Sequence, residues 1–310
     1  MSRDTLIDVH PDDPRWDHAF GPGADGVRLH YVRKGRGPAV VLLHGWPGFW
    51  YDWRRVIPRI AEEADVIAPD FRGFGDSDKP KLPPEVGYTP EAFGKDILAL
   101  LDHLGIREVV VAGHDLGATV AQFLARKASE RIRALALFNP SYPGIGMRRF
   151  EPSAQRESWY QHFHCLPWSD QLIGYNRDTI RLYLKYFYDH WVGRKETVRP
   201  KEFEAIVDVF SRPGVVRGSI NHYVARAAVH MEEAEVDPKT LQILQPTVVL
   251  WGNADPVRPS NWSDRLQEYF PLLKLYILQG VGHFVPFEAP DEAAESIREA
   301  VRSSEHKNSQ

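Results

Sequence analysis

The chain has 310 residues, 43% of them hydrophobic, and 38 Lys plus Arg against 42 Asp plus Glu leave a formal charge of −4. That composition supports a large buried core in one compact body with room for an insertion, and it excludes disorder. It also lacks a basic stripe that could meet a phosphate backbone, so nucleic acid is not an expected partner. The single cysteine, Cys165, rules out an internal disulfide framework and fits a reducing compartment. The opening MSRDTLIDVHPDD lacks the basic and apolar segments of a signal peptide, and no apolar run approaches the roughly 18 residues of a membrane span. A soluble, cytoplasmic protein without membrane association is expected, and assembly as a homodimer is left open.

Taken in chain order, short apolar runs predict strands at 27–32, 39–43 and 65–68. A helix is predicted over 89–104, where Thr-Pro-Glu offers an N-cap followed by proline in the first turn. A strand at 108–112 then runs into a helix at 116–127, and further strands follow at 134–138, 247–251 and 274–278. Such alternation predicts the α/β class, with a mostly parallel central sheet covered by helices on both faces. Between about 143 and 237 the sequence becomes aromatic-rich and helix-like, as in SWYQHFHCLPW and TIRLYLKYFYDHW. This stretch predicts a helical cap, giving a first core segment at 1–143, the cap at 144–237 and a second core segment at 238–310. A cap inserted there would lie over the carboxyl ends of the strands, where open sheets bind ligands. The final SSEHKNSQ is expected to fray.

The strand at 108–112 leads into Gly113-His114-Asp115-Leu116-Gly117-Ala118. Small residues two places either side of a central residue suit a sharp strand-to-helix turn that presents this residue outward as a nucleophile. The alternative is an ordinary βα turn with Asp115 as its N-cap. Two later segments complete a nucleophile, acid, histidine order: Gly252-Asn253-Ala254-Asp255-Pro256 and Gly280-Val281-Gly282-His283-Phe284, each following a predicted strand. Asp255 would orient and charge-stabilise the imidazole, and His283 would act as base.

On these motifs, with His44-Gly45-Trp46-Pro47-Gly48 and Asp70-Phe71-Arg72-Gly73-Phe74-Gly75-Asp76-Ser77, the chain resembles the α/β-hydrolase fold superfamily over nearly its full length. The resemblance implies an oxyanion hole built from the backbone N–H groups of Trp46 and Leu116. His44 and His114 flank the chemistry and are expected to hold loops by hydrogen bonds. An aspartate in place of the usual serine suits attack on an sp³ carbon bearing a leaving group, giving an alkyl-enzyme ester on Asp115. Water activated by His283 would then attack the Asp115 carboxyl carbon. The substrates become epoxides or alkyl halides.

The cap segments Trp159-Tyr160-Gln161 and Ile220-Asn221-His222-Tyr223 resemble those of soluble epoxide hydrolases, and imply Tyr160 and Tyr223 as the pair that protonates an opening epoxide. A phenol can polarise the ring oxygen and give it a proton. Gln161 and Phe284 are assigned to substrate binding. Haloalkane dehalogenases typically place Trp after the nucleophile and often Asn before the loop proline, where this chain has Leu116 and Trp46. Fluoroacetate dehalogenases place Arg where Leu116 and Thr119 stand. The expected activity is hydrolysis of a small-molecule epoxide by water to a vicinal diol. The alternatives are a haloalkane or haloacid dehalogenase using the same Asp115, and a non-catalytic ligand-binding protein of the same fold. No metal site, phosphate loop or dinucleotide motif appears, so neither metal nor cofactor is expected.

Overall fold

The computed structural model describes residues 9–227 and 237–305. Its centre is an eight-stranded sheet in the order β1-β2-β4-β3-β5-β6-β7-β8. The strands are β1 His18–Pro22, β2 Arg28–Gly35, β3 Ala39–Leu43, β4 Asp65–Pro69, β5 Val109–His114, β6 Ile132–Phe138, β7 Thr247–Gly252 and β8 Leu273–Leu278. β1 and β2 pair antiparallel, β2 also runs antiparallel to β4, and every other pairing is parallel. β5 occupies the middle, with Val111 in register with Val41 on one side and Leu135 on the other.

All six residues of β5 and of β7 are buried. A strand buried on both faces reads as an unbroken apolar run, which is why these strands stand out in the sequence. The helix Pro90–His103 begins where the Thr-Pro-Glu signal places it, with the Thr89 side chain accepting from Ala92 N at 3.1 Å. The helix Leu116–Lys127 follows β5 directly, and Pro290–Glu305 packs Ala293, Ala294, Ile297 and Ala300 into the core. That last helix corrects one expectation, because Ser303–Glu305 complete its final turn instead of fraying, with Ser304 buried and its hydroxyl donating to Val301 O. The remaining tail residues lie outside the described residues. β1 was not expected either. Its HAFGP carries no β-branched residue, and it is held as an edge strand through pairs such as His18↔Val32.

Between β6 and β7 every described element is helical. The helix Arg177–Trp191 opens with a capping box between Asn176 and Thr179, and it buries Ile180, Leu184, Phe187 and Trp191 at helical spacing. Its Tyr188 hydroxyl donates to Pro47 O at 3.0 Å. From the helix Pro200–Phe210, Glu202 receives Arg54 Nε and Arg55 Nη2, each at 2.8 Å, in a buried ionic triad. These contacts seat the helical segment over the loops that follow β3. No helix among the described residues is long and apolar enough to cross a membrane.

Candidate active site

Five strand ends converge. Trp46 follows β3, Asp115 follows β5, Asn139 follows β6, Asp255 follows β7 and His283 follows β8. A parallel sheet brings all its carboxyl ends to one edge, so residues far apart in sequence meet there.

Asp115 has φ 52° and ψ −112°, a left-handed conformation rare for a side chain larger than glycine. The turn is that tight because the strand and helix nearly touch. A Cβ on Gly113 would lie 2.5 Å from Gly117 O, and one on Gly117 would lie 2.1 Å from Leu43 O. Asp115 occupies the N-cap position, and its backbone carbonyl accepts from Ala118 N and Thr119 N. Its carboxylate makes no capping bond. The side chain is turned the other way, with Oδ1 accepting from Trp46 N at 3.2 Å and Oδ2 lying 3.5 Å from His283 Nε2. Leu116 opens the helix and is buried; its N–H is one of the donors a helix start leaves without an intrahelical partner.

His283 is held on its other nitrogen, Nδ1, by Asp255 Oδ2 at 2.7 Å. Asp255 in turn accepts from Val257 N at 2.8 Å, Arg258 N at 3.1 Å and Asn139 Nδ2 at 2.6 Å. Burial alone would lower the His283 pKa, but the Asp255 charge, the nearby Asp115 carboxylate and the bond to Asp255 push it up to about 9. The imidazolium is therefore the resting form at neutral pH. The His283 N–H donates to Trp191 O at 2.8 Å, and Glu288 gathers the N–H groups of Gly193, Gly282 and Phe284. The histidine loop is thus tied to the end of the helix Arg177–Trp191.

Three residues of this site carried no signal in the sequence analysis. Arg258 Nη2 donates to Asp115 Oδ2 at 2.6 Å, and its Nη1 donates to Asn139 O at 2.9 Å. Burial would raise the Asp115 pKa, yet Arg258 first, and then His283, hold it well below the usual carboxylate range. Asn139 has φ 42°; its Nδ2 binds Asp255, and its Oδ1 accepts from Gly252 N at 2.8 Å. Arg226 lies one turn beyond Tyr223 on the helix Val215–Arg226.

Tyr160, on the helix Trp159–His164, and Tyr223 are both buried, with ring centroids 5.5 Å apart. The Trp46 ring stacks on Tyr160 at 5.2 Å and meets Tyr223 edge-on at 5.7 Å. Burial, then the Asp115 charge, pushes the Tyr160 phenol up to about 12. Burial raises Tyr223 further, with Tyr160 and Asp115 adding to the shift. Both phenols stay protonated at neutral pH and can donate. Gln161 Nε2 donates to Tyr160 Oη at 3.1 Å. Phe284 stacks on Tyr188 at 4.9 Å, beside His283, and is not among the residues lining the cavity next to the site. His114 Nε2 bonds His283 O at 2.8 Å and His44 Nε2 accepts from Phe71 N at 3.1 Å, so both bind loops.

A family model described as the α/β hydrolase fold matches residues 38–163. The chain is 33% identical to the soluble epoxide hydrolase of Corynebacterium sp. (strain C12) over 275 residues, 86% of this chain and 91% of the relative. It is 30% identical to epoxide hydrolase 4 of Homo sapiens over 273 residues, 86% of this chain and 73% of that protein. The solved structure of the epoxide hydrolase CorEH without ligand is similar with a TM-score of 0.78 at 28% identity, covering 92% of this chain and 98% of the other.

Proposed function

Because the chain belongs to the epoxide hydrolase family of the α/β-hydrolase fold, we propose that it opens a small-molecule epoxide with water to give a vicinal diol. In the first half-reaction an Asp115 oxygen forms a bond to an epoxide carbon. The ring C–O bond breaks, its electron pair stays on the oxygen, and that oxygen takes a proton from Tyr160 or Tyr223. In the second half-reaction His283 takes a proton from water as the water oxygen adds to the Asp115 carboxyl carbon. The charge that develops falls on the oxygen facing Trp46 N–H, with Leu116 N–H as the second donor. Collapse breaks the ester C–O bond, the departing alkoxide takes the proton that His283 drew from water, and the diol leaves with the Asp115 carboxylate restored. Residues 144–237 serve as a cap that carries the phenols to the core segments 1–143 and 238–310.

His283 changes character between the two steps. While Asp115 is ionised, its charge 3.5 Å away helps keep the imidazole protonated. Esterification removes that charge, so the imidazole pKa falls; the proton it sheds restores the tyrosinate left by ring opening, and a neutral base becomes available when water must be activated.

The observation that carries the epoxide reading is the pair of buried phenols 5.5 Å apart, each raised in pKa by the Asp115 charge as well as by burial. An alkoxide leaving group needs a proton and a halide does not. The test compares diol formation from a panel of epoxides with halide release from a panel of haloalkanes and haloacids. Diol formation without added metal or cofactor is expected; halide release without diol formation would overturn the reading in favour of a dehalogenase.

A further inference from the structure

A cavity of about 250 Å³ reaches the site through Tyr223 and Arg258, the latter bonded to Asp115, although Asp115 itself is not among its lining residues. Tyr223 and Gln161 line it, together with three guanidinium groups, those of Arg149, Arg226 and Arg258. Among the described residues no carboxylate side chain lines it. Apolar walls come from Ile145, Val257 and Trp262.

The two inner arginines are accounted for differently. Arg258 is held by Asp115 and by Asn139 O. Arg226 is half-buried and forms no ion pair with a carboxylate among the described residues. Burial, followed by the neighbouring Arg258 charge, lowers its pKa, so the two cations oppose each other in the unliganded site. A half-buried guanidinium without a counter-ion loses part of its hydration uncompensated, and an anion placed between two of them gains charge-assisted hydrogen bonds from both.

We propose that the substrate carries a carboxylate a few bonds from its epoxide ring, and that Arg226 and Arg258 clamp that carboxylate. This rests on the epoxide reading above and narrows it to epoxy acids small enough for the cavity. Arg258 links recognition to the chemistry. In the free protein it covers Oδ2, the Asp115 oxygen that Trp46 N–H does not hold. A substrate carboxylate offers Arg258 a second partner, which frees Oδ2 to form the bond to carbon. Esterification then removes the Asp115 charge, and the substrate's own carboxylate remains as counter-ion to the buried guanidinium. No atoms beyond epoxide and water enter the balance.

The test compares 3-phenyloxirane-2-carboxylate with its primary amide, which has nearly the same shape and no charge. The wild-type protein should favour the acid by at least about tenfold in kcat/KM, a difference of about 1.4 kcal/mol. Arg226→Gln should bring the ratio close to one, mainly by raising KM for the acid, whereas Arg226→Lys should retain part of the preference. Calorimetry with the dihydroxy acid and the dihydroxy amide reads the same preference without turnover, and the wild-type measurements decide the matter even if a variant fails to fold. Equal or better hydrolysis of the amide by the wild type would overturn the clamp while leaving the epoxide reading intact. Failure to open either epoxide, with halide released from a 2-haloacid, would overturn the epoxide reading itself.

Discussion

Arg258 Nη2 stands 2.6 Å from Asp115 Oδ2, nearer than His283 Nε2, which is 3.5 Å from the same oxygen. A guanidinium stays charged at every working pH, so it fixes the ionised form of Asp115 independently of the imidazole. Replacing it by Arg258→Gln leaves burial to raise the carboxyl pKa. The acid limb of the kcat/KM profile should move upward toward neutrality, with activity at pH 5 to 6 falling more than activity at pH 8. Breaking a buried ion pair from one side should also cost about 3 to 5 kcal/mol of stability. A pH–rate profile and a denaturation curve check both; an unmoved acid limb would show that Arg258 does not set the ionisation of Asp115.

His283→Gln should leave alkylation of Asp115 possible while removing the base for hydrolysis. Turnover should fall by about 10² to 10⁴. Intact-protein mass spectrometry after incubation with an epoxide should then find the chain heavier by one substrate mass, with the added mass on the peptide containing Asp115. Recovery of unmodified protein that still binds substrate would count against a covalent intermediate.

Tyr160→Phe and Tyr223→Phe should each slow ring opening, and the double variant should lose about 10² to 10⁴ in the rate of the first half-reaction. Each ring packs against Trp46, and the substitutions keep the ring. Single-turnover kinetics separates ring opening from hydrolysis. A double variant with wild-type alkylation would place the proton donor elsewhere.

The raised pKa of His283 also predicts how stability varies with pH. Its folded value, about 9, lies above the ordinary 6.5, so the folded form holds a proton more tightly than the unfolded chain does. The resulting stabilisation is fully present below pH 6.5 and is lost as pH rises through about 9. The melting temperature should therefore decline across that interval, and His283→Gln should flatten this part of the decline. Thermal melts at pH 6, 7.5 and 9 on both proteins measure it.

The strand β3 and the helix Leu116–Lys127 lie where their sequences place them, because a buried parallel strand is an apolar run and the elbow carries its glycines at fixed offsets. The strand-end loops bearing Asp115, Asp255 and His283 were legible for the same reason. β1 was not, since HAFGP has no strand composition and pairs only because β2 offers an edge. Arg226 and Arg258 were harder still. A buried arginine has no local pattern, and its partner is fixed only when separate strand ends meet in space. Nothing local in the acid loop, Asp255-Pro256-Val257-Arg258, announces that its last side chain reaches back to Asp115.

Asn139 grips Asp255 through its side chain and accepts Arg258 through its carbonyl, so one residue at the end of β6 aligns both the partner of His283 and the partner of Asp115. His283 and Asp115 therefore share a common support, and their orientations do not vary independently. Substitutions at positions 139, 255 and 258 should show strong epistasis, with the first change removing much of what the second could still disturb. A change at Arg258 therefore also disturbs the residue that aligns the partner of His283, whereas Arg226 has no bond to Asn139 and can be altered without touching that shared support.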